Sequence, residues 1–333
     1  MNTPKVSIIV PIFKVADCLN RGVDSILSQS FRDFELILVD DGSPDACGRI
    51  CDEYALQDDR VKVIHKENGG VSSARNAGLA IAQGEWVYFP DPDDELMEDA
   101  ILTLVNGISD DVDVVLGGFE EIDPNGEIVR LMRNQTGEKK YISKLESLKP
   151  IFAPYSDDYS PVAYLGYTFI RLFRKKVIKE NGLRFDESIA NREAGLFTVN
   201  YLCVSRGITC YVMKPIYRYI QRPSSAIMSL NYGFNKTVLT SFDSTILMVR
   251  LISAIYPSGS EIVKRAKEEV MERYRTIKGL MIKFDVKDEK VLSDFRKRCV
   301  KELGIPFLVG YVYVWGIGKV KKIMNRICKK SSK

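Results

Sequence analysis

Along the first hundred residues, continuous apolar runs alternate with stretches in which apolar side chains recur every three or four positions. The runs are Val6 to Ile12, Phe34 to Val39, Val61 to Ile64 and Trp86 to Phe89, each short enough to form a buried strand. The periodic stretches are Cys18 to Leu27, Gly48 to Leu56, Ser73 to Ala82 and Met97 to Val105, and they predict helices. Strands alternating with helices predict right-handed βαβ units and a mostly parallel sheet. Ligands of such sheets sit outside the carboxyl ends of the strands, so the residues that follow each strand are where chemistry is to be sought.

Those residues are acidic. The second run ends in Asp40-Asp41-Gly42-Ser43 and the fourth in Asp91-Pro92-Asp93-Asp94-Glu95. The first cluster by itself reads as a turn with a helix cap. The second, with four acids in five positions, exceeds what a cap requires, and repelling carboxylates call for a cation. Hard oxygen ligands suit Mg²⁺ or Mn²⁺, which pair one or two protein carboxylates with substrate phosphates. A third segment, Glu67-Asn68-Gly69-Gly70-Val71-Ser72-Ser73-Ala74-Arg75-Asn76, has glycines for a tight backbone and serines to start a helix. Arg75 then lies about one turn in, on the same rim, either as a phosphate or ribose contact or as an ordinary surface arginine. His65, the only histidine, has no histidine or cysteine neighbour and reads as incidental.

Composition narrows the class. The chain has 333 residues, 45% of them hydrophobic and 28% charged, the profile of a globular protein with room for one large α/β domain and an accessory segment. A net charge of +4, with the basic residues spread along most of the chain, gives no footprint for nucleic acid. The seven cysteines include no CxxC pair, which predicts reduced thiols and a cytoplasmic location. The start, MNTPKVSIIVPIF, runs into a strand without the zones of a signal peptide.

Beyond about residue 230 the pattern turns helical over Lys236 to Tyr256, Ser260 to Phe284 and Lys287 to Leu303. An apolar aromatic run from Ile305 to Gly318, too short to span a bilayer at about 20 residues per crossing, precedes a lysine-rich end. That order suits either a helix lying on an anionic membrane surface or a buried helix with a frayed basic end.

The series VSIIVPIF, FELILVDDGS, ENGGVSSARNAGL and GEWVYFPDPDDEL, in this order and spacing, resembles the family 2 glycosyltransferases. The likeness is close over about residues 5 to 105 and looser to about 225. It implies the GT-A fold: a Rossmann-like mixed α/β sheet flanked by helices, here with a helical C-terminal segment. The expected division is a GT-A domain at 1–228, with a nucleotide and metal half at 1–110 and an acceptor half at 111–228, then a helical region at 229–333 with the basic tail.

The resemblance also implies roles. Pro11 and Phe13 match positions where backbone and an aromatic ring meet the nucleotide base, Asp41 an acid on base or ribose, and Arg75 a nucleotide-contacting arginine. Asp91 and Asp93 match the DxD-type metal motif, Asp91 also on the nucleotide side, with Asp94 as an adjacent ligand or as an acid standing behind the ligands. Arg222, in the segment Tyr217 to Ser225, matches a stretch that folds over the donor, where it would touch the diphosphate; a strand edge is the other reading. Where the family has Glu-Asp before a helix, this chain has Glu193-Ala194, so Glu193 becomes the expected base, with Asp186 and Glu187 as weaker candidates.

The activity implied is inverting transfer of a sugar from a nucleotide diphosphate donor, UDP or similar, to a glycan or lipid-linked acceptor, of the kind that builds cell-surface polysaccharides. Ala194 keeps a noncatalytic sugar-nucleotide or glycan-binding protein as the alternative. Nucleotidyl transfer, which also uses paired acids and a metal, is disfavoured because no glycine-rich basic motif for a triphosphate is evident.

Overall fold

The computed structural model describes residues 3–132, 139–152, 167–222 and 236–283, with scattered helical positions between 291 and 301. Residues 305 to 333, read above as a membrane-surface tail, lie outside the described residues, as do Pro223 to Ser225.

The four apolar runs become strands β1 (Val6–Ile12), β2 (Phe34–Asp40), β3 (Val61–His65) and β4 (Trp86–Tyr88). Every residue of β1 and β2 is buried, as strands covered on both faces are, and the polar Ser7 and Glu35 among them bond to each other. They pair in parallel in the order β3-β2-β1-β4. Between them run helices α1 (Leu19–Leu27), α2 (Cys47–Gln57) and α3 (Val71–Ile81). The third begins two residues before the serine expected to open it, because Gly70 takes a left-handed φ of 86° and turns the chain there. Ser72 and Ser73 fall inside its first turn.

After β4 come a two-residue strand β5 (Glu95–Leu96) and α4 (Ala100–Val105), then β6 (Val112–Ile122), β7 (Ile128–Met132) and β8 (Lys140–Ile142). Helix α5 (Lys144–Leu148) follows, opened by a capping box of Ser143 and Glu146. The chain continues through β9 (Arg171–Arg174), α6 (Lys175–Glu180), α7 (Glu193–Val204) and β10 (Ile208–Ile220). Among the described residues the sheet has ten strands and is mixed: β9 lies antiparallel between β4 and β6, and β10 runs parallel to β6.

Two long helices, α8 (Lys236–Ile255) and α9 (Glu261–Lys283), complete the described chain. Contacts divide the molecule into units Met1–Glu269 and Val270–Lys333. The first unit includes α8, which packs on α7. Five cysteines are buried free thiols: Cys18, Cys47, Cys51, Cys203 and Cys210.

An aromatic cluster ties the two halves of the sheet to α7. Phe89 packs on Phe185 and Phe197 with centroids 5.1 and 5.9 Å away, and Phe185 stacks on Phe197 at 4.1 Å. These rings sit beneath the start of α7 and the loop before it, so core packing fixes where those segments meet the strand ends.

Candidate active site

The rim at the ends of β1, β2 and β4 is held by backbone first. Asp41, the residue after β2, donates its amide to the Ile12 carbonyl at 2.9 Å. Its buried carboxylate accepts from Lys66 Nζ at 2.6 Å and from the amides of Gly69 and Gly70 at 3.0 and 2.7 Å. The acid expected on a base or ribose thus fastens the glycine loop that launches α3. Behind it, Asp40 accepts from the Ser43 amide and pairs with His65 Nδ1 at 3.0 Å, while His65 Nε2 reaches Asp52, also at 3.0 Å. His65, read as incidental, clamps β2 to α2, and the two carboxylates raise its pKa. Pro11 is buried inside β1, opposite Val39 of β2. Phe13 is 40% exposed, with the Lys14 ammonium 5.1 Å from its ring centre.

Arg75 is the hub. It is buried, lies 5.3 Å from the centre of the Phe185 ring, and donates through Nη2 to Asp91 at 2.9 Å and through Nη1 to Glu193 at 2.8 Å. One planar guanidinium therefore joins the end of β4 to the first residue of α7. The next residue, Asn76, was missed by sequence reasoning. Its amide donates to the Phe185 carbonyl and to Glu187, and its oxygen accepts from the Phe185 amide, all at 2.9 Å. This clamp brings the loop before α7 to the rim, and its only signal in the sequence is its place beside Arg75.

The acidic cluster divides by role. Asp91 keeps one oxygen on Arg75, and burial, with Asp93 and Glu193 nearby, pushes its carboxyl up to about 6 despite the guanidinium. Asp93 pairs with Arg222, whose other terminal nitrogen reaches Cys18 Sγ at 2.8 Å. Asp94 is buried, and its oxygens accept from the Ile220 amide and the Tyr217 hydroxyl, both at 2.8 Å. Tyr217 in turn accepts from the Asp91 amide at 3.0 Å. Asp94, expected as an adjacent metal ligand or as an acid behind the ligands, bonds to β10, and burial raises its pKa far above the usual carboxylate range.

A divalent cation can be tested against these donors. Among the described residues there is no group of three or more His, Cys, Asp or Glu side chains that could hold a metal. Asp91 and Asp93 each engage one oxygen with an arginine and supply hard carboxylate donors, which fits an Mg²⁺ or Mn²⁺ site completed by substrate phosphates and water. The raised pKa of Asp91 comes first from burial, with Asp93 and Glu193 adding to it, and a cation beside it would favour the charged form. The fit is to Asp91 and Asp93, without Asp94.

Glu193 opens α7 behind Arg192, which holds a left-handed φ of 67°. That strained residue is anchored by Glu269 at 2.6 Å and Thr245 at 3.3 Å, and its carbonyl accepts from Ser244 at 3.1 Å. Of the other candidate bases, Asp186 accepts from Ser188 within its own loop and Glu187 from Asn76. Glu193 is the one of the three that shares a partner with Asp91. Ala194 follows it in the first turn, where the family pattern carries an aspartate.

The profile described as Glycosyl transferase family 2 matches residues 7–182, more than half of the chain. This protein belongs to the family 2 glycosyltransferases. It is 32% identical over 273 residues to the glycosyltransferase GlyG of Streptococcus pneumoniae, an alignment covering 75% of this chain and 86% of GlyG. It is 27% identical to the poly(ribitol-phosphate) beta-N-acetylglucosaminyltransferase TarP of Staphylococcus aureus, over 82% of this chain and 78% of TarP. In fold it resembles S. aureus TarS 1-349 solved in complex with UDP-GlcNAc, with a TM-score of 0.67, 22% identity, and coverage of 89% and 81% of the two chains. The glycosyltransferase thus has the GT-A fold expected from its motifs, and the rim that Arg75 organises lies within or close to the matched region.

Proposed function

We propose that this glycosyltransferase moves a sugar with inversion from a UDP-sugar to a glycan or lipid-linked acceptor in cell-surface polysaccharide assembly. The carrying observation is the guanidinium of Arg75, which holds Asp91 and Glu193 at its two ends and so sets a diphosphate-side acid and a base within one charge network. UDP-GlcNAc in TarS and the polymer named for TarP support the donor and acceptor classes.

In the reaction, the acceptor hydroxyl oxygen bonds to the anomeric carbon as the bond from that carbon to the diphosphate oxygen breaks. The nucleoside diphosphate leaves with the electron pair, and Glu193 takes the hydroxyl proton. Asp91 and Asp93 are the residues that would hold an Mn²⁺ or Mg²⁺ ion, which would supply Lewis-acid stabilisation of the departing charge. Arg75 adds a fixed positive charge beside Asp91 and Glu193. Asp41, by fastening the glycine loop, keeps α3 and therefore Arg75 in place. Pro11 and Phe13 line the end of β1, where the nucleotide base is assigned, and Arg222 stands beside Asp93 on the diphosphate side.

A thermal-shift panel of UDP-, GDP- and CDP-sugars with Mn²⁺ tests the reading, because a ligand bound to the native state raises the melting temperature by mass action. A rise with a UDP-sugar, dependent on Mn²⁺, is expected. A rise with another nucleotide alone would move the donor assignment. The chain is assigned to the cytoplasmic face of the membrane, held by residues 305–333, and loss of sedimentation with anionic liposomes on their removal is the expected outcome. No helix among the described residues is long and apolar enough to cross a bilayer.

A further inference from the structure

The turn that leads into Glu193 is held by a part of the chain that carries none of the family motifs. Arg192 keeps its left-handed φ of 67°, a conformation that is unfavourable for a residue with a Cβ and persists only where the surroundings impose it. Among the described residues the one other non-glycine with a positive φ is Lys14, beside Phe13 at the end of β1. Both lie on the rim where the chemistry is assigned.

Side chains of α8 and α9 impose the conformation at Arg192. Its guanidinium donates to Glu269 of α9 at 2.6 Å and to the Thr245 hydroxyl of α8 at 3.3 Å. Its carbonyl accepts from the Ser244 hydroxyl at 3.1 Å, and two residues earlier the Ala190 amide donates to the Thr240 hydroxyl at 3.2 Å. Thr240, Ser241, Ser244 and Thr245 are all buried, and their spacing puts them on one face of α8. A helix that only covered its neighbour would bury apolar side chains on that face. Here three of the four hydroxyls bond to the turn before Glu193.

We infer, on the reading of Glu193 as the base, that Arg192 and Glu269 are positioning residues for sugar transfer, through which α8 and α9 aim Glu193 at the reacting centre. The Arg192 carbonyl accepts the first hydrogen bond of α7, from the Leu196 amide at 3.0 Å. A change of its backbone from the left-handed to the right-handed region would therefore re-aim the first turn of α7 and with it the Glu193 carboxylate. That carboxylate meets Arg75 at 2.8 Å, and Arg75 is fixed on α3, so the base is held by Arg75 on one side and by the Arg192 turn on the other. A general base works only within hydrogen-bond reach of the proton it takes, and small displacements cost rate steeply. Arg192 and Glu269 both lie beyond residues 7–182, the stretch that the family profile matches. The C-terminal helices thereby belong to the transfer machinery.

Steady-state transfer by the full chain, with calorimetry of UDP and Mn²⁺ binding, separates positioning from folding. Glu269→Gln should lower kcat about ten- to a hundredfold, the effect of a misplaced catalytic group, while UDP affinity stays within about twofold. Arg192→Gly and Arg192→Ala remove the same guanidinium, but glycine takes a positive φ without strain. Arg192→Gly should therefore turn over about fivefold faster than Arg192→Ala, the lower end of the effect that a left-handed residue with a Cβ produces. A role confined to stability predicts lowered melting temperatures with kcat at the parent value in all three variants, and that result would overturn the inference. Equal turnover of the glycine and alanine variants would also overturn it, as would loss of UDP affinity in parallel with kcat.

Hydrogen exchange at the Leu196 amide reads the same turn without any transfer. It should quicken by about tenfold in Glu269→Gln, because the acceptor of that amide is no longer held in place. Should the parent transfer no sugar, the reading of Glu193 as base fails by itself. Faster exchange at Leu196 would then still support the hold of α8 and α9 on the start of α7, and unchanged exchange would overturn it.

Discussion

Arg75 and Glu193, 118 positions apart, meet at 2.8 Å, and the same guanidinium holds Asp91 at 2.9 Å. Arg75 is only 4% exposed, so removing its charge leaves two neighbouring carboxylates without compensation. Arg75→Ala should lower unfolding stability by about 3–5 kcal/mol, the usual cost of breaking a buried ion pair from one side. Urea unfolding checks this, and an unchanged midpoint would show that the bridge contributes nothing to the fold.

Glu193→Gln should preserve shape at the start of α7 while removing the proton acceptor. Transfer is expected to fall by roughly 10²- to 10⁴-fold, with UDP and Mn²⁺ affinity retained by calorimetry. If the variant transfers at the parent rate, another carboxylate is the base. If the parent itself transfers nothing and Ala194→Asp gains activity, the site is degenerate at the position where the family carries its aspartate.

The acidic cluster predicts different phenotypes. Asp91→Asn should abolish Mn²⁺-dependent UDP binding and, by taking a charge from beside the buried Arg75, lower the melting temperature as well, whereas Asp93→Asn should abolish that binding and leave the melting temperature near that of the parent. Asp94→Ala should do the reverse, since it strips partners from the Ile220 amide and the Tyr217 hydroxyl. Each buried group left unsatisfied costs about 1–3 kcal/mol. Loss of Mn²⁺ binding in a folded Asp94→Ala protein would return that residue to the metal site.

His65 links stability to pH. Its hydrogen bonds to Asp40 and Asp52 raise its pKa above the ordinary value, so the charged form contributes stability that is fully present below about pH 6.5. That contribution is lost as the pH rises through the higher folded-state value. Urea midpoints compared between about pH 6 and 9 should fall more for the parent than for His65→Gln. Parallel curves would mean that the clamp between β2 and α2 carries no charge-dependent part.

What the sequence determined by itself was local. The apolar runs of β1 and β2, broken inside only by Ser7 and Glu35, announce burial on both faces, and the Asp91 to Glu95 cluster stands out because its charge density exceeds what a turn needs. The helices of the C-terminal region were legible for the same reason: Lys236–Ile255 and Glu261–Lys283 follow the periodicity of their own side chains. The family motifs added an ordered set of such local signals.

Tertiary structure decided which local features meet. Four acids within five positions look alike along the chain, yet β10 takes Asp94 into a buried pair of hydrogen bonds while Arg75 takes Asp91 and Arg222 takes Asp93. The insertion of β9 antiparallel beside β4, together with the stacking of Phe185 on Phe197, brings the loop before α7 back to the rim, where Asn76 clamps it. Periodicity reports how one element is buried and carries no information about its neighbour. The partner of Arg75 depends on packing between segments more than a hundred residues apart, which only the folded chain specifies.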